Sequence, residues 1–274
     1  PISEAGLVGI AIGMNLVGEK TFAEIMFGDF VVNAMDQLVN NASKFHHMYG
    51  KQFSCDFVVR MPMGGRRGYG PTHSQSLEKF LLGIDNTAVV ATSSLVDPGD
   101  LIERVSQLTC PTIIIENKTD YSSFLFEPIE DLELEKIGGK LGTIKLNPKG
   151  ASSTLVIITY GYMARLIADN YLKIFKETDT IFTLLCPQLL HPMPVAHFTR
   201  EIEKIVNVLL VEESTKGFGW CDGVAGELVE NIDHCNIKRI SSDPVAIPSN
   251  REVEMQNLVS VEKIIKKIKE FGST

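Results

Sequence analysis

The chain is 274 residues long, 44% hydrophobic and carries a formal net charge of −8, with a pI near 5.3. That acidity argues against a nucleic-acid partner, and no apolar run reaches the roughly eighteen residues that a membrane span needs. Length and apolar content allow a sizeable core and favour two domains. Cys55, Cys110, Cys186, Cys221 and Cys235 are scattered, odd in number and without a CxxC. They read as reduced thiols of a cytoplasmic or mitochondrial-matrix protein, forming neither a disulfide framework nor a zinc site. Pro1 follows no initiator Met or signal sequence, as expected of a fragment, a processed subunit or the visible part of something longer.

In chain order, the first periodic stretch predicts a helix from about Ala5 to Val17, stopped by Gly18. Gly6, Gly9 and Gly13 strip one face of side chains. Such a face serves tight packing or the close approach of a flat ligand, against up to about 1 kcal/mol of helix propensity per glycine. TFAEIM, 21–26, reads as a buried strand holding one carboxylate, Glu24, for which Arg60 is a candidate partner. After a turn at Gly28 and Asp29, one long helix is predicted with Asp29 as N-cap. Val31, Met35, Leu38, Ala42, Phe45 and Tyr49 form its apolar stripe, widened by Val32 and Val39, so burial on more than one side is expected. Phe30 sits where strand becomes helix, the edge at which open parallel sheets bind ligands.

Strands at 56–64, 86–94 and 111–117, with a helix capped near Asp97, continue an alternation typical of a parallel α/β sheet. Residues 118–150 turn charged and Gly/Lys-rich, reading as a surface linker with short strands. From residue 151 a second α/β unit follows: strands STLVIITYG, DTIFTLLCP, NVLLVEES and NIKRISS alternate with helices MARLIADNYLKIF, VAHFTREIEKI and DGVAGELVENI. A last helix is capped by Ser260, buries Val261, Ile264, Ile265, Ile268 and Phe271, and turns Lys263, Lys266, Lys267 and Lys269 to solvent.

Few positions carry chemistry. Glu4 lies at the start of the glycine helix, where the dipole favours a carboxylate by about 0.3–1 kcal/mol. A functional role there requires a cationic or protonatable ring docked against it. His73 ends the loop GGRRGYGPTH, just before Ser74 and an expected helix, near amides able to meet an anion. The loop contains neither GxxxxGK[ST] nor GxGxxG, the chain lacks GxSxG and HExxH, and the remaining histidines have no metal-ligand spacing.

ISEAGLVGIAIGMNLVGEKTFAEIMFGDF, AMDQLVNNASK, RMPMGG, HSQSLE, VEES, GFGW, GELV and DPVAIPSNREVE occur in that order. Together they make the chain resemble the beta subunit of the thiamine-diphosphate-dependent decarboxylating component of pyruvate and branched-chain 2-oxoacid dehydrogenases. The resemblance implies an α/β fold of two domains: a transketolase-like pyrimidine-binding parallel-sheet domain, N-terminally incomplete, over 1–117, and a transketolase C-terminal domain over 151–274, joined by a linker over 118–150. It implies that Glu4 hydrogen-bonds the aminopyrimidine ring nitrogen of thiamine diphosphate, favouring the tautomer that removes the thiazolium proton. Phe30 would stack on that ring, and His73, the histidine of HSQ, would face the 2-oxoacid substrate and the incoming lipoyl group.

Departures shape the expectation further. Leu108 and Cys110 replace the Asp and Asn of the family's potassium site, so no metal is expected in this chain. His191 to Pro194, HPMP, lacks the family's acid after the Pro-hydrophobic pair. No GDG…N motif is present, so an alpha subunit or fused alpha half must hold Mg2+ and the diphosphate. Lipoyl acyltransferase and a second beta subunit complete the expected partners. The alternatives are a transketolase-type ketol transferase half, against which HSQS and DQLVNNASK argue, and a non-catalytic scaffold subunit, motivated by the altered HPMP and potassium positions.

Overall fold

In the computed structural model, which describes residues 2–203, 205 and 207–272, the strands gather into two sheets. The first contains β1 (Phe22–Glu24), β2 (Val58–Met63), β3 (Ala88–Ala91) and β4 (Thr112–Asn117). The second contains β5 (Leu132–Ile137), β6 (Thr143–Pro148), β7 (Leu155–Ile158), β8 (Phe182–Pro187), β10 (Asn207–Thr215) and β11 (Asn236–Ser242). Between β8 and β10 the chain crosses back, and β9 (Leu189–His191) joins the first sheet antiparallel to β3. The strand orders are β1-β2-β4-β3-β9 and β11-β10-β7-β8-β6-β5. All pairings within the first four strands are parallel, as they are among β11, β10, β7 and β8.

The central strands of both sheets are covered on two faces, which is why they read as continuous apolar runs. Val59, Val89 and Ile113 face one core, whereas Val58, Val90 and Ile114 pack with Leu101 and Val105 of the helix Pro98–Val105 on the other side. In the second sheet Val156, Ile158, Val208 and Leu210 belong to the same core as the first set, so one apolar mass bridges the two units. Leu155, Ile157, Leu209 and Val211 face outward from it, onto Ile264, Ile265 and Ile268 of the terminal helix Val261–Lys269. Ser260 caps that helix by accepting from the Lys263 amide, and Asp97 caps the earlier one by accepting from Gly99.

Several expectations are corrected. β1 is a three-residue edge strand with only Ala23 buried, so Glu24 is exposed and pairs with Arg60 at 2.8 Å across the edge. The long helix is one helical run in three geometries: a 3-10 segment at Gly28–Ala34, a π segment at Gln37–Ala42 and an α-helix at Ser43–Met48. With about three residues per turn at its start, Val31 and Ala34 share the buried face and Val32 turns out, 49% exposed. Asp29 is not its N-cap, because its carboxylate is taken by Gln75. The stretch 118–150 holds the β5–β6 hairpin, which forms the edge of the second sheet against β8. MARLIADNYLKIF breaks at Asn170 into two helices, and Asn250 caps an unforeseen helix, Arg251–Asn257.

The two units are joined by buried charge as well as by the core. Arg66 and Glu213, 5% and 8% exposed, pair at 2.9 Å, and Glu213 also accepts from the Gly65 amide at 2.8 Å. Gly64, at φ +92, leaves the room this needs: a Cβ there would stand 2.8 Å from the Glu213 carboxylate. Glu212, on the other side of the strand, accepts from the Cys221 amide at 3.1 Å and the Ser241 hydroxyl at 3.0 Å. Burial pushes its carboxyl up to about 7.

Two outcomes follow from these buried groups. Glu213→Gln leaves Arg66 as an uncompensated buried charge and is expected to lower the unfolding free energy by about 3–5 kcal/mol; a denaturant melt within about 1 kcal/mol of wild type would refute a structural role for the pair. For Glu212, the folded protein holds a proton that the unfolded chain releases near its ordinary value of 4.5. Its contribution is therefore fully present below about pH 4.5 and lost as pH rises through about 7. Glu212→Gln is expected to flatten the fall in stability between pH 5 and 7.5, on the order of a few kcal/mol. The wild-type-minus-variant difference removes the opposing contribution of His197, whose burial holds its imidazole low; identical slopes would exclude Glu212 as the cause.

Candidate functional site

Parallel pairing sends the C-terminal ends of β1, β2 and β4 to one edge of the first sheet, where α/β folds place ligands. β1 leads to Phe27, Gly28, Asp29 and Phe30; β2 leads to the loop ending in His73; β4 leads to Lys118. Three different segments therefore meet there. The Phe30 and His73 rings stand edge to face with centroids 5.3 Å apart, and Phe27 approaches His73 at 4.7 Å and Tyr69 at 6.0 Å. Edge-to-face contact of this kind is worth about 0.5–1.5 kcal/mol per pair beyond buried area, enough to orient an imidazole. Thr72 Oγ1 lies 2.9 Å from His73 Nδ1.

The loop is held at both ends and in the middle. Gly64 N–H donates to the Gln75 carbonyl at 3.0 Å, closing it on itself. Asp29, 5% exposed, accepts from the Gln75 amide at 3.1 Å and from Gln75 Nε2 at 2.9 Å, tying the HSQ segment to the turn that carries Phe30. Gly68 N–H donates to Glu254 Oε2 at 2.8 Å, and Arg66 Nη2 to the Val259 carbonyl at 2.6 Å, anchoring the loop to the second unit. The helix expected after Ser74 is only a single 3-10 turn, Glu78–Phe80. His73 is consequently backed by the Asp29–Gln75 contact rather than by a helix N-terminus.

Glu4 lies in the first turn of the helix Glu4–Leu16, which Ser3 caps by accepting from the Gly6 amide at 3.2 Å. It is partly exposed and has no hydrogen bond or ion pair among the described residues. Val8, Ala11 and Ile12 of the same helix are buried in the core that also holds Val31 and Ala34 of the Phe30 segment. Among the described residues the glycine face is open towards its C-terminal end: a Cβ at Gly13 would meet nothing within 4 Å and one at Gly9 the Gln37 side chain at 3.5 Å, whereas one at Gly6 would meet Ser3 Oγ at 3.1 Å. Among the described residues no group of three or more His, Cys, Asp or Glu is placed to hold a metal ion.

Phe27, Tyr69, the Asp29–Gln75 clamp and Lys118 were not identified from sequence. Phe27 and Phe30 stand three apart across a 3-10 turn, a spacing that does place them on one face. Nothing local joins Asp29 to Gln75, 46 residues away. Behind the loop, a cavity between the two units is lined by Ser76, Glu78, Thr92, Asn117, Tyr160 and Glu213, among others. Glu78 accepts from the Tyr160 hydroxyl, and burial raises its carboxyl despite that bond.

Residues 1–123 match the transketolase pyrimidine-binding domain. The 2-oxoisovalerate dehydrogenase subunit beta, mitochondrial, of Dictyostelium discoideum is 28% identical over 84% of this chain and 61% of its own length. The pyruvate dehydrogenase E1 component subunit beta, mitochondrial, of Saccharomyces cerevisiae is 26% identical over 100% of this chain and 75% of its own. A solved structure described as a split gene transketolase, inactive beta4 tetramer, shares the fold with a TM-score of 0.72 at 15% identity, over 98% of this chain and 82% of that one. The family match thus falls on β1 to β4 of the first sheet and the segments that carry Phe30 and His73. Over most or all of its length the chain is similar to the beta subunits of pyruvate and branched-chain 2-oxoacid dehydrogenases.

Asp29→Ala is expected to cost about 1–3 kcal/mol by removing the carboxylate that accepts from two part-buried Gln75 donors and to accelerate solvent exchange of the Gln75 amide. Exchange at the wild-type rate would show that Asp29 does not hold the loop.

Proposed function

We propose that the chain is the beta part of an alpha/beta enzyme that decarboxylates a 2-oxoacid oxidatively with thiamine diphosphate and passes the acyl group to a lipoyl acyltransferase. The observation that carries this reading is the contact of Phe30 with His73, delivered by two parallel strands to the ligand-binding edge of a pyrimidine-binding domain. The residues suit the cofactor. Glu4 offers a carboxylate without a partner among the described residues, as an aminopyrimidine nitrogen would require, and Phe30 offers a partly buried ring. When bound, thiamine diphosphate supplies the carbon nucleophile and the electron sink. The lack of a GDG…N motif favours a partner alpha part as the holder of Mg2+ and the diphosphate.

In this reading each residue has one task. Glu4 holds a proton at the ring nitrogen of the docked pyrimidine and thereby sets its tautomer. Phe30 fixes the plane of that ring by stacking. His73, oriented by Phe27, Phe30 and Thr72, accepts or donates a proton at the substrate oxygen and at the acyl-accepting thiol. The glycine helix leaves Leu7, Ile10, Met14 and Val17 exposed, at 39%, 66%, 45% and 79%, an apolar face that assembly with the alpha part or a second beta subunit would cover.

The test mixes the chain with a candidate alpha partner, thiamine diphosphate and Mg2+, and follows 2-oxoacid decarboxylation with an artificial electron acceptor. Glu4→Gln is expected to lower kcat by about 100-fold or more; an intact rate would remove Glu4 from catalysis. Turnover limited to two-carbon ketol transfer would select a transketolase-type activity instead, and none with any partner would leave a scaffold role.

A further inference from the structure

Two cations flank the His73 cluster without a carboxylate partner. Lys118 follows directly on β4, and its Nζ lies over the Phe27 ring, 3.5 Å from the centroid. Arg67 donates through Nε to the Tyr69 hydroxyl at 3.1 Å and through Nη1 to the Lys118 carbonyl at 3.1 Å, with its guanidinium 5.5 Å from the Tyr69 ring centroid. Neither forms an ion pair among the described residues, whereas the neighbouring Arg60 is paired with both Glu24 and Glu116, and Arg66 with Glu213. In a chain of net charge −8, two adjacent uncompensated cations on the rim of an aromatic site make a local positive field. The aromatic faces under them hold the side chains in place.

We propose that Lys118 and Arg67 form a capture subsite for the carboxylate of the small anionic substrate that reacts beside His73. The inference rests on the assignment of His73 to the reacting centre of a 2-oxoacid enzyme. Arg67 keeps guanidinium N–H groups beyond its two bonds for a planar carboxylate, and Lys118 adds a point charge over the Phe27 ring, which itself meets His73. The subsite acts before chemistry. Tight pairing of the carboxylate in the transition state would oppose its loss as neutral carbon dioxide, so rim cations that raise local substrate concentration help where cations at the reacting carbon would hinder. Their effect therefore falls on KM and on its salt dependence.

The test uses the assembled enzyme with its alpha partner, thiamine diphosphate and Mg2+, and pyruvate or 2-oxoisovalerate as the probe. Lys118→Met and Arg67→Met are expected to raise KM for the oxoacid about tenfold each, as loss of a charge-assisted contact implies, with the loss confined to KM. Both should also weaken the dependence of kcat/KM on ionic strength. Lys118→Arg is expected to keep most of the wild-type KM, and melting curves check that each variant is folded. If wild type turns over and both Met variants keep its KM and salt dependence, the subsite is refuted while the oxoacid reading stands. A rise confined to KM for the lipoyl-bearing acceptor also refutes it, in favour of docking of an acidic protein domain. Wild-type inactivity towards every oxoacid refutes the reading of the centre and the subsite with it.

Discussion

The ion pair between Arg66 and Glu213 is the contact on which the relation of the two units depends. It sits at the root of the His73 loop, on the strand that carries the buried Glu212, where both partners are almost fully removed from water. A pair of this kind gains little net stability over an apolar contact, but it is costly to break and admits one geometry. Here the geometry is further specified. Arg66 also donates to the Val259 carbonyl and lies 5.3 Å from the Tyr162 ring centroid, while its backbone, at φ +76, takes the left-handed conformation. The loop is thereby tied to the second unit at its root.

From that constraint the site follows by topology. Parallel strands deliver their C-terminal ends together, so Phe27, Phe30, His73 and Lys118 meet although they span 92 residues of chain. The two sheets supply the frame and the connecting segments carry the candidate site, as is usual when function is carried on loops. Asp29 is the link between two of those segments: its carboxylate accepts from Gln75 and so ties the turn that carries the Phe30 ring to the segment that carries the His73 imidazole. A residue whose sequence context reads as a helix cap is thereby a long-range tie.

Charge is distributed to match. Carboxylates and cations along the sheet edge largely neutralise one another, as in the Glu24–Arg60–Glu116 chain with Tyr121 donating to Glu116. Within the junction, burial and neighbouring acids raise Glu78 and Glu212, so that region carries less negative charge than its composition suggests. Against this background Lys118 and Arg67, without an ion pair among the described residues, stand out at the aromatic rim, and Glu4 stands at the start of a helix with an exposed apolar face.

By itself the sequence determined the alternation of strands and helices, the two α/β units, the caps at Asp97 and Ser260, the Glu24–Arg60 pairing and the motifs that tie the chain to its relatives. These were legible because periodicity, capping and short motifs are local properties, and because the central strands of each sheet are buried on both faces, leaving unmistakable apolar runs. Only the tertiary structure decided that β9 returns to the first sheet, that 118–150 contributes a sheet edge, that the Phe30 helix begins in 3-10 geometry, and that Asp29 serves Gln75. It also decided that Phe27, Tyr69 and Lys118 join His73. Each of these depends on partners tens of residues apart, whose encounter is set by sheet register and domain docking, and no local pattern of side chains encodes that encounter.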